Sequence, residues 1–94
     1  MDQTEIFDAF DAVIKNMPAR FDSHYFIREF IYLFPAIYGK LLMKHNNVAT
    51  CHGEIANILR GKSKELRIQV LKEKKSCSND IFGNLAECAI WSKF

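Results

Sequence analysis

Little in this chain supports catalysis or metal chemistry by itself. Its 94 residues include only three cysteines, Cys51, Cys77 and Cys88, which cannot all pair within one chain. No C-x-x-C pair is present to hold a zinc ion, and adjacent Cys51 and His52 would point about 100° apart on a helix. The same angle excludes them as a nucleophile and its base. Neither a nucleophile elbow, nor a phosphate-binding glycine loop, nor a His-Glu metal motif occurs. The expectation is free thiols, no cofactor, no metal and no catalysis.

Long apolar runs are missing as well. The most apolar window, Tyr25 to Met43, carries Arg28, Glu29 and Lys40. Each such charge costs about 2.5–3.5 kcal/mol at the centre of a membrane. The uncharged run from Phe30 to Gly39 is half a span, so no transmembrane helix is expected. The N-terminus, MDQTEIFDAFDAVIK, is acidic and has no basic start or continuous apolar stretch, which excludes a signal peptide. With the unpaired cysteines, this places the chain in a reducing, cytoplasmic setting. Internal repeats, low-complexity tracts and linkers are absent, and one complete domain over residues 1–94 is expected.

What is present is apolar and aromatic. Hydrophobic residues make up 49% of the chain, with eight Phe and three Tyr, enough for a packed core and more aromatic surface than one small core needs. Charge is unevenly placed. Residues 1–30 hold six acids (Asp2, Glu5, Asp8, Asp11, Asp22, Glu29) against three bases, a net of −3. Residues 60–75 hold seven bases (Arg60, Lys62, Lys64, Arg67, Lys72, Lys74, Lys75) against Glu65 and Glu73, a net of +5. Such polarity implies an acidic partner for the second region.

Periodicity divides the chain into elements. Ile6, Phe7, Phe10, Val13, Ile14 and Met17 fall on one helical face, which predicts a helix over 4–17, capped by Thr4 and stopped by Pro18. Asp22 or Ser23 caps a second helix over 24–44, wide in its apolar stripe and kinked or split at Pro35. Val48 and Ala49 suit a short extended segment, and Thr50 caps a third helix over 51–60 that ends at Gly61. Residues 64–75 are ambiguous. Leu66 and Val70 pair as on a helix, yet Leu66, Ile68 and Val70 also alternate as on a strand. Lys, Glu, Leu, Arg and Gln dominate there, which favours a helix over 64–73. SCSND (76–80) and FGN (82–84) are turn chemistry, and ECAIWSKF closes the chain as a strand. Trp91 is expected to close the core over helix 51–60. The fold class expected is α+β, mostly helical.

Over residues 48–94 this order resembles the winged helix-turn-helix class of DNA-binding domains, which implies a winged-helix-like domain with an extra N-terminal helix in front. EIANILRGKS looks like the first helix and turn of such a unit, with Ala56 small enough for close helix approach and Gly61 in the turn. The spacing from Ala56 to Gly61 is one residue longer than in the common pattern. The resemblance implies that 64–75 is the recognition helix, with Arg67 and Gln69 toward bases. Arg60, Lys62, Lys64, Lys72, Lys74, Lys75 and the wing residue Asn79 complete the nucleic-acid-binding set, largely on phosphates. Five lysine–phosphate contacts would give a log–log salt slope of about −4.5. The function implied is a non-catalytic, double-stranded-DNA-binding small protein, a regulator of transcription or of a mobile element. The aromatic N-terminal helices would supply a homodimer interface. The alternative is a helical protein–protein adaptor with no nucleic-acid role, in which the lysines are solvated surface.

Overall fold

A computed structural model describes residues 3–94, leaving Met1 and Asp2, with its charge, outside the described residues. The first helix, α1 (Gln3–Lys15), buries Ala9, Phe10, Val13 and Ile14 on one face. Thr4 lies inside its first turn rather than at a cap. Tight turns from Asn16 N–H to Val13 and from Met17 N–H to Ile14 close it ahead of Pro18.

A short strand, β1 (Arg20–Asp22), follows, and the sequence pattern did not announce it. Asp22 then caps α2 (Ser23–Leu33), its carboxylate accepting from Tyr25 N–H at 2.7 Å. The apolar stretch does split at Pro35, which opens α3 (Pro35–His45) at a position where no backbone N–H is needed. Asn46 ends α3 in the left-handed conformation (φ 52°), a conformation Asn tolerates better than most residues. Asn47 caps α4 (Val48–Gly61) by accepting from Thr50 N–H at 3.0 Å. Val48 and Ala49 therefore form the first turn of α4 instead of an extended segment, and the expected cap, Thr50, is the residue being capped.

The helix favoured over 64–73 does not form. Leu66 N–H reaches Lys62 carbonyl in a single turn, and Arg67 then adopts a left-handed conformation (φ 59°). The chain continues as strand β2 (Ile68–Asn79), a five-residue loop (80–84) and strand β3 (Leu85–Lys93). Ile68 and Val70 alternate into the core beside Trp91, and this burial overrides the helical propensity of the lysines and glutamate around them.

The three strands form one antiparallel sheet in the order β1-β3-β2. Phe21, Trp91 and Val70 pair across it in one row on the core face. Beneath them Phe10 meets Phe26 and Phe30 edge-on, each at 5.0 Å between ring centres. Fully burying each such side chain contributes about 1.5–3 kcal/mol. Cys51, Ile55 and Leu59 complete this core from α4. The architecture is thus α+β, with helices over about half of the chain. No helix among the described residues is long and apolar enough to cross a membrane.

Candidate nucleic-acid interface

Burying Cys51, Ile55 and Leu59 at four-residue spacing fixes the rotation of α4. Its opposite face, with Thr50, Gly53, Asn57 and Arg60, is therefore exposed. This stripe carries a hydroxyl, a carboxamide and a guanidinium around a bare glycine, groups suited to base edges and phosphate oxygens. Arg60 leads directly into Lys62, Lys64 and Arg67, all exposed in the turn after α4.

The hairpin continues the series. Gln69, Lys72, Lys74, Lys75 and Asn79 are exposed along β2. All nine residues singled out from the sequence are therefore on the surface, and among the described residues none takes part in an ion pair. Their placement differs from the expectation in one essential way. Residues 64–75 are a turn and a strand, so Arg67 and Gln69 do not stand on a recognition helix. Arg60 sits at the end of α4, the helix expected to precede that recognition helix.

The pairing of β2 with β3 is irregular at this point. Val70 faces Trp91 and Lys75 faces Ala89, so Leu71–Lys74 oppose Ile90 alone. This four-residue arch brings Lys72 and Lys74 beside Gln69 and Arg20, lining an open cleft of about 390 Å3. Arg20 was missed from the sequence because it lies far from the basic block in the chain. The Thr50–Asn57–Arg60 stripe was legible in principle, as the complement of Ile55 and Leu59.

Beyond the arch, the hairpin is pinned to α2. Ser76 Oγ donates to Asp22 Oδ2 at 2.8 Å, Ser78 Oγ bonds His24 Nδ1 at 2.8 Å, and Arg28 Nη2 donates to Asn79 carbonyl at 2.9 Å. Burial raises the pKa of the Asp22 carboxyl, but hydrogen bonds from Tyr25 N–H, Ser76 and Ser78, with the nearby His24, outweigh it and hold the value below 3.8. At the loop, Asp80 Oδ1 accepts from Phe82 and Asn84 N–H groups, and Gly83 supplies the positive φ of 81°.

Cys51 is buried, and desolvation raises its thiol pKa, the opposite of what a nucleophile needs. His52 Nε2 is hydrogen-bonded to Tyr38 OH at 2.8 Å. Among the described residues no three His, Cys, Asp or Glu side chains gather as metal ligands. The chain matches no known protein family, no curated protein and no solved structure.

Proposed function

We propose that this protein binds double-stranded nucleic acid without catalysis, in the manner of a winged helix-turn-helix domain. In this reading α3 and α4, joined through Asn46 and Asn47, are the helix-turn-helix pair. Helix α4, one element earlier than the sequence suggested, lies in the major groove. The β2–β3 hairpin is the wing. The observation that carries the proposal is the continuity of the exposed polar stripe of α4 with the exposed bases of 60–75. The element order, with three helices (α2–α4) between β1 and a hairpin whose second strand pairs with β1, supports the same reading. A homodimer through the N-terminal aromatic helices belongs to it, with Tyr25 and Tyr32 turned outward on α2.

The test is a titration against a labelled random-sequence duplex at several salt concentrations, with Asn57→Ala and a doubly substituted Arg60→Glu/Lys62→Glu protein alongside. Binding that weakens steeply with salt and disappears in the charge-reversed protein supports the reading. Equal binding by the charge-reversed protein, or none by the wild type at low salt, removes it.

The adaptor reading has one observation in its favour. Phe82 and Leu85 are 65% and 70% exposed at the hairpin end, where an apolar partner would meet them.

A further inference from the structure

The sheet has an outer face that no sequence motif marks. Arg20 pairs with Ser92, and Ser92 with Gln69, so these three residues form one row across β1, β3 and β2. The neighbouring row, Phe21–Trp91–Val70, faces the core, so Arg20 and Gln69 stand on the opposite side. The Leu71–Lys74 arch adds Lys72 and Lys74 to the lining of the open cleft.

It is lined by Arg20, Lys72, Lys74 and Gln69, which bring a guanidinium, two ammonium groups and a carboxamide, together with Val70 and Leu71. Among the side chains the structure describes, which leave out that of Glu73, no acid lines it. The nearest acid in the chain to Arg20, Asp22, is already engaged by Tyr25 N–H and Ser76. Three like charges around one space repel each other, and an anion held between them relieves that repulsion. Arg presents a fork to two phosphate oxygens, while each Lys supplies a mobile point charge.

We propose that the cleft formed by Arg20, Gln69, Lys72 and Lys74 is a phosphate-binding subsite, and that its occupant is a backbone phosphodiester of the nucleic acid. This rests on the function proposed above and extends the interface from α4 to the outer face of the sheet. Free nucleotides and inorganic phosphate share the recognised chemistry. The cleft is open and has no aromatic slot for a base, which favours a polymer that runs through it.

The experiment compares wild type, Arg20→Ala, Arg20→Lys and the Lys72→Ala/Lys74→Ala pair in duplex titrations at four salt concentrations. Backbone amide shifts are followed in parallel during addition of inorganic phosphate and of AMP. Arg20 is exposed, and circular dichroism checks that each variant is folded. The expected result is a salt slope smaller by about 0.9 in Arg20→Ala, an affinity loss of about fivefold to tenfold near 0.1 M salt, and partial retention in Arg20→Lys.

Duplex binding that is lost in Arg60→Glu/Lys62→Glu but keeps its slope and affinity in both cleft variants overturns the subsite and leaves the function standing. No duplex binding, with phosphate or AMP shifting the amides of Arg20, Gln69 and Lys72, overturns the polymer as occupant and the proposed function together. Silence in every arm overturns both.

Discussion

The indole Nε1 of Trp91 donates a hydrogen bond to Ser23 Oγ at 3.0 Å, and both residues are buried. The bond ties the last strand to the start of α2, two segments at opposite ends of the chain. Ser23→Ala leaves a buried N–H without a partner, which costs about 1–3 kcal/mol. Urea unfolding followed by Trp91 fluorescence reads this directly. An unchanged midpoint would mean that the indole N–H finds another acceptor.

Gly53 separates stability from binding. It lies mid-helix on the exposed stripe of α4, and a Cβ there would meet nothing within 4 Å. Gly53→Ala is therefore expected to stabilise the fold by about 0.5–1 kcal/mol. If α4 docks closely in a groove, the same methyl group weakens duplex binding. A more stable protein with unchanged affinity would place the contact elsewhere.

Arg67 offers a second separation. Its φ of 59° is a conformation in which a Cβ costs roughly 1–2 kcal/mol, and its side chain is exposed. Arg67→Gly relieves that cost but enlarges the unfolded ensemble, so a net gain of about 0.5–1 kcal/mol is expected. Loss of the guanidinium should lower duplex affinity severalfold and flatten the salt slope by about 0.9. Thermal melts and salt titrations on the same preparation check both effects.

The pH dependence of stability should carry the mark of His52. Burial lowers its pKa from the ordinary 6.5; Asp80 opposes this shift and His24 adds to it. Below about pH 6.5 the unfolded chain takes up a proton that the folded protein resists, so stability falls as pH falls through that region. His52→Gln removes this component. Melting temperatures from pH 8 to pH 5 should therefore decline less in the variant than in the wild type. Parallel curves would show that folded His52 protonates freely.

Legibility from the sequence followed how local each determinant was. The buried face of α1, a cap at Asp22 or Ser23 and the break at Pro35 are set by residues within a turn or two of each other, and the pattern revealed them. Strand β1 is three residues long and exists because β3, nearly seventy residues later, offers it an edge. No local signal carries that pairing. Residues 64–75 misled because the arch breaks the alternation at Leu71, leaving only Ile68 and Val70 in phase before it. The basic block stood out because charge is visible without structure. Arg20 was not, because only the sheet brings it to Gln69.

The arch also changes the parity of its strand. Before it, even-numbered residues of β2 (Ile68, Val70) face the core. After it, Ser76 and Ser78 are on the outer side, where Asp22 and His24 meet them. A straight ladder would have turned those serines inward and aimed Lys75 and Cys77 the other way. The two halves of the hairpin are thus registered independently, the inner one by the core and the outer one by α2. Between them lies a stretch whose length neither half dictates, where this chain can gain or lose a residue without either half changing its pairing.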